Sequence, residues 1–286
     1  MKIAVTGGTG YLGSALLTRL IADGHSVTAL VRSEAAADTI VGRGPEPVIG
    51  DLFDQAWAAE QFAAADAVVH TAATGDADTE RLDRSVAAAA VQALSGTAKP
   101  YVHTGGVWIY GAGVDITEES PLRPPALTAW RGPVEEIVLT ADLTATVVVP
   151  GVVYGYGAGI PAALFGPRDD AGRVRLVGGG EQHWATVHVD DLAALYALVV
   201  ERGEGLGRLI GVGGDNPTVR EIGQAAAGAG EVVAETADES RERLGAAYAD
   251  ALLLDQQASG ARARSLGWAP AATTLVEEFR NGSYAA

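Results

Sequence analysis

The chain has 286 residues, 48% of them hydrophobic and 20% charged, with no cysteine, so a sizeable core is available while disulfides and thiolate metal sites are excluded. The 36 acidic against 20 basic residues give a formal net charge of −16. That balance repels nucleic acid and anionic membrane surfaces at long range, and the expected partner is a small molecule met in a locally basic pocket.

Seven short β-branched runs recur along the chain: KIAVTG from Lys2, SVTALVR from Ser26, PEPVIGD from Pro45, DAVVHTA from Asp66, KPYVHTG from Lys99, TATVVVPG from Thr144 and GRLIGVGG from Gly207. Their nearly continuous apolar character suits strands buried on both faces of a parallel sheet. Between the first two, Leu12, Leu16 and Leu20 recur at helical spacing, and Gly24 stops the pattern. Strand alternating with helix predicts an α/β, doubly wound parallel sheet with right-handed crossovers. After about residue 150, glycine- and aromatic-rich stretches read as pocket-forming loops. Thr218 with Glu221, and Thr274 with Glu277, then read as capping boxes of a small, mostly helical C-terminal lobe. Asp190 and Asp191 are placed where they favour a helix start. No signal peptide or membrane span is expected, since no apolar run reaches about 18 residues, and the cytoplasm is the expected location.

Gly7, Gly10 and Gly13 in TGGTGYLG are spaced by three between the first strand and its helix. The first permits a tight turn, the second lets backbone N–H groups approach a pyrophosphate, and the third lets helix and strand pack closely. The helix N-terminus then faces the phosphates. The second strand ends in Arg32 and Ser33, where an NAD site would carry a carboxylate for the ribose 2′-hydroxyl. A guanidinium pairs with a 2′-phosphate, which favours NADP(H) over NAD(H). Asp51, closing the third strand, is either an adenine contact or a turn former.

These motifs, followed in order by GDL at Gly50, VVHTAA at Val68, YVHTGGVWIYG at Tyr101, TEESPLRP at Thr117, VVVPGVVYG at Val147 and VHVDDLA at Val187, resemble the short-chain dehydrogenase/reductase superfamily. The resemblance is to its extended, epimerase/dehydratase-like branch. It implies a Rossmann-type dinucleotide-binding domain over residues 1–150, re-entered at about 185–213, with 151–184 and 214–286 forming the substrate lobe. It also implies a homodimer and a cofactor held along Gly7, Thr9, Gly10, Tyr11, Leu12 and Gly13, then Arg32, Ser33, Asp51 and Leu52. Thr71, Ala72, Ala73, Thr104, Arg131, Pro150, Val152 and Val153 complete that set.

The family's catalytic tyrosine and lysine, four residues apart, are missing. In PPALTAWRGPVEEIVL their places fall on Leu127 and Arg131, or on Thr128 and Gly132, and Pro133 suggests that the helix starts late. The family's serine falls on Gly105 or Gly106, with Thr104 the nearest hydroxyl. The chain therefore resembles the atypical members that keep the cofactor site without the standard triad. Thr104, Arg131 and Tyr154 are the remaining catalytic candidates. Arg131 either holds the nicotinamide ribose and an oxyanion or makes a salt bridge to Glu135. Gly106, Trp108, Tyr154, His183 and Trp184 are candidate substrate contacts, while Tyr110 reads as packing and His188 as securing a strand end. No histidine or carboxylate set has metal-ligand spacing.

The expected activity is that of an NADP(H)-dependent oxidoreductase acting on a small organic substrate with a non-standard proton donor. An NADP-binding sensor without turnover and a non-redox isomerase or lyase are the alternatives, separated by partner binding and by nicotinamide absorbance.

Overall fold

In the computed structural model, which describes residues 1–285, the seven β-branched runs become the seven strands of one sheet. They are β1 (Lys2–Thr6), β2 (Ser26–Val31), β3 (Glu46–Ile49), β4 (Ala67–His70), β5 (Pro100–Thr104), β6 (Thr144–Pro150) and β7 (Gly207–Gly211). Their spatial order is β3-β2-β1-β4-β5-β6-β7, and neighbours from β3 to β6 pair in parallel. Strand order reverses beside β1, which places the switch point, and with it the expected ligand crevice, at the carboxyl ends of β1 and β4.

The intervening helices are α1 (Tyr11–Ala22), α2 (Glu34–Asp38), α3 (Gln55–Ala63), α4 (Thr79–Leu94), α5 (Arg131–Thr140) and α6 (Val189–Arg202). Helix α1 buries Gly13, Leu16, Leu17 and Leu20, and Gly24 follows it at φ +84°. Helix α5 starts at Arg131, with Pro133 in its first turn.

The chain forms two compact units. Residues 1–105, 130–148 and 193–209 make one, and 106–129, 149–192 and 210–285 the other. Residues 106–129, counted with the first 150 on sequence grounds, thus cluster with the second unit. The first unit's core is the doubly covered sheet, where Ile3, Val68, Val69, Tyr101 and Val147 are fully buried. The second is built from short helices and three two-stranded parallel ribbons, Val152–Gly155 with Thr186–His188, Val174–Arg175 with Val232–Val233, and Gly113–Ile116 with Gln256–Ala258. Phe165, Leu176, Trp184, Ile222 and Phe279 anchor its core. Among the described residues, no helix is long and apolar enough to cross a membrane.

Candidate active site

The turn after β1 has the geometry that its glycines require. Gly7 takes φ +75°, and a Cβ there would lie 2.6 Å from the Ala72 nitrogen. A Cβ at Gly13 would collide with the Gly7 carbonyl, so α1 packs on the turn only through glycine. Gly10 caps α1 without a side-chain bond, leaving the helix's first N–H groups to an anion.

These residues open onto a cleft of about 430 Å³. Gly7, Thr9, Gly10 and Tyr11 form one wall, Arg32, Asp51 and Leu52 the second, and Thr71, Ala72 and Ala73 the third. Ten residues expected from separate motifs therefore line one space. Arg32 is exposed and makes no salt bridge among the described residues, whereas Ser33 is spent on capping α2 through the Ala36 nitrogen. Asp51 faces the cleft and also accepts from the Phe53 nitrogen at 2.9 Å, so the two sequence readings hold together. The glycine cradle and the helix N-terminus fit the pyrophosphate of a nicotinamide dinucleotide.

Behind the third wall lies a buried polar cluster that the sequence reading missed. His70 and His103 stand opposite each other in β4 and β5, with ring centroids 5.1 Å apart. Asp83, on the buried face of α4, is within 3.1 Å of His70 Nε2 and 3.7 Å of both His103 Nε2 and an Arg131 nitrogen. Burial opposes the Asp83 charge, but the His70 hydrogen bond and the neighbouring Arg131 guanidinium more than offset this, and its carboxyl titrates below the usual range. Burial likewise pushes His103 down to about 3, keeping it neutral, with Tyr101 hydroxyl 3.0 Å from its Nδ1. The cluster reaches the cleft through Thr6, whose Oγ1 is 2.7 Å from His70 Nδ1 and accepts from the Ala72 nitrogen at 3.4 Å.

Arg131 is oriented by this cluster and not by the Glu135 salt bridge considered from sequence. It donates to the Thr104 carbonyl at 3.3 Å and stacks on Trp130. Glu135 instead pairs with Arg208 at 2.7 Å, and burial raises its pKa despite that partner. Its other oxygen leaves no room for a side chain at Gly105, where a Cβ would come within 2.7 Å of it. Gly106 has open space around it. Thr104 Oγ1 lies 2.6 Å from the His70 carbonyl and 2.7 Å from the hydroxyl of Tyr196, on α6.

In the second unit, two expectations are corrected. Trp184 is buried in the core and donates to the Leu252 carbonyl at 3.0 Å, so its indole is not offered to a substrate. Tyr154 is buried and donates to the Thr273 carbonyl at 2.7 Å, with burial raising its pKa, so its hydroxyl is held inside the second unit. His183 remains partly exposed, its Nδ1 2.8 Å from Asp255. Trp108 is half-buried against the edge of Tyr248, and Tyr110 packs in the core. His188 accepts from the Asp190 nitrogen and so secures the start of α6. Pro150 ends β6, while Val152 and Val153 pair with Thr186 and Val187. Among the described residues, no three His, Cys, Asp or Glu stand together as metal ligands.

The family model of the NAD dependent epimerase/dehydratase family matches residues 3–213. The chain belongs to this family. It is similar to 4-hydroxy-2-methyl-3-oxo-4-farnesyl-3,4-dihydroquinoline-1-oxide ketoreductase of Stigmatella aurantiaca, at 34% identity over 72% of this chain and 66% of the relative. It is also similar to 2-alkyl-3-oxoalkanoate reductase of Stenotrophomonas maltophilia, at 29% identity over 70% and 66%. In fold it matches the UDP-glucose 4-epimerase of Thermus thermophilus in complex with NAD, with TM-score 0.74 and 24% identity over 98% of this chain and 99% of that one.

Proposed function

We propose that this family member is an NADP(H)-dependent oxidoreductase that interconverts a small organic ketone and its alcohol. The observation that carries this reading is the glycine-lined cleft with Arg32 on its wall and no carboxylate in the place of a ribose 2′-hydroxyl acceptor. The names of two relatives, a ketoreductase and an oxoalkanoate reductase, support carbonyl chemistry.

When bound, the nicotinamide supplies or accepts the hydride. The chain's own residues do the rest. The α1 N-terminus and the turn at Gly7 and Gly10 hold the pyrophosphate. Arg32 pairs with the 2′-phosphate. Arg131, fixed by Asp83 and the Thr104 carbonyl, presents a permanent positive charge that stabilises a developing alkoxide. It cannot give up a proton, because a guanidinium stays charged far above neutrality.

Titration with NADPH, NADP⁺ and NADH, followed by nicotinamide fluorescence, tests the cofactor assignment. Arg32→Ala should weaken NADPH roughly 10- to 100-fold, the equivalent of a lost charged hydrogen bond of about 1.5–3 kcal/mol. NADH binding should barely change. Equal weakening of both removes Arg32 from the 2′-phosphate. Absence of binding by all three removes the oxidoreductase reading.

A further inference from the structure

Ketone reduction leaves an alkoxide that must be protonated, and the buried cluster narrows down the source. Asp83 is ionised and only accepts, His103 is neutral and enclosed, and Arg131 retains its proton. What remains at the carboxyl end of β5, beside Arg131, is a pair of hydroxyls. Thr104 is half-buried, while Tyr196 is fully buried, and the Thr104 oxygen is its only hydrogen-bond partner among the described residues.

Donor directions follow from chemistry. The His70 carbonyl can only accept, so Thr104 spends its single proton there at 2.6 Å, and the Tyr196 O–H must then donate to Thr104 at 2.7 Å. The Tyr196 O–H thus points from α6 to the end of β5, and the Thr104 O–H onward to the His70 carbonyl at the end of β4.

Resting on the ketone-reductase reading above, we propose that Thr104 and Tyr196 form a two-hydroxyl proton relay that protonates the substrate oxygen. The substrate oxygen gains its electron pair as hydride from the reduced nicotinamide reaches the carbonyl carbon. The Thr104 O–H turns from the His70 carbonyl to the alkoxide, its O–H bond breaks as a substrate O–H bond forms, and the Tyr196 proton moves to Thr104. The negative charge ends on the Tyr196 oxygen, near the Arg131 guanidinium that favours it. After the alcohol leaves, water returns one proton by the same route in reverse. Burial raises the Tyr196 pKa, so the phenol yields its proton only to a base as strong as an alkoxide.

The test uses the full chain and the variants Tyr196→Phe, Thr104→Val and Thr104→Ser. In the ligand-free protein with ¹³Cζ-labelled tyrosine, the resonance lost in Tyr196→Phe should move in Thr104→Val and stay in Thr104→Ser. With NADPH and a panel of ketones, Tyr196→Phe should lower kcat about 100-fold, at the lower end of general-acid effects. KM, NADPH affinity and Tm should be unchanged. Thr104→Val should lose as much, Thr104→Ser should stay within a few-fold of wild type, and the Thr104→Val/Tyr196→Phe double variant should be no slower than either single one. The wild-type solvent deuterium effect on kcat should change in Tyr196→Phe. A Tyr196→Phe kcat within twofold of wild type, or an unmoved resonance in Thr104→Val, overturns the relay and leaves the reductase reading intact. A wild-type chain that binds NADPH and reduces no ketone overturns both.

Discussion

Asp83 holds together side chains from three elements, β4, β5 and α5. Two imidazole nitrogens and one guanidinium face it in a buried space. Asp83→Ala should therefore cost about 3–5 kcal/mol, the usual penalty for removing one side of a buried ionic cluster, as a lowered urea midpoint would register. His103 gives this cluster a pH signature. Its folded pKa is near 3 against 6.5 unfolded, so between those values the unfolded chain binds a proton that the native one refuses. The stability is complete above about pH 6.5 and drains away as pH falls, by up to about 1.4 kcal/mol per unit. Glu135 acts in the opposite sense above its ordinary value of 4.5, since its raised folded pKa favours the protonated native state. His103→Gln, which cannot take up the proton, should flatten the acid limb of a stability-versus-pH curve; an unchanged slope would mean that His103 does not cause it.

At the scale of elements, the turn that follows β5 explains why two adjacent glycines are not equivalent. Gly105→Ser drives a Cβ against Glu135 and should destabilise by about 1–3 kcal/mol, an overpacking cost. Gly106→Ser meets nothing within 4 Å and should leave Tm nearly unchanged. Thermal melts of the two variants distinguish them. The seven strands were legible because each is a β-branched run bounded by turn residues, and the glycine-lined cleft because glycine spacing dictates backbone geometry. Capping was only partly legible. Thr218 and Glu221 form the reciprocal box, Thr274 caps without the return bond, and Thr236 with Glu239 forms a box that the sequence reading passed over. Trp184 and Tyr154 were misplaced because an aromatic side chain in a glycine-rich stretch can face core or solvent, and tertiary packing decides. The Asp83 cluster joins residues far apart in sequence, yet a signal existed in the repeated Val-His-Thr of VVHT and YVHT and in one acid on the apolar face of α4.

For the molecule as a whole, net charge and the buried cluster act together. The formal charge of −16 keeps copies apart near neutrality, and it vanishes near pH 4.6. That pH lies inside the window in which the His103 contribution to stability is being lost. Mild acid should therefore expose apolar strands just as electrostatic repulsion disappears. Light scattering should peak near pH 4.6, and less strongly in His103→Gln. The paired histidines have one more effect. AVVH and PYVH are so uniformly buried that hydrophobicity alone discriminates poorly between alignments of β4 and β5. A slip by a single residue would turn His103 to the opposite face of the sheet, away from Asp83, and strand its ring in hydrocarbon. The polar cluster thus penalises misaligned pairings, making one alignment of these strands far cheaper than its neighbours while the chain is still folding.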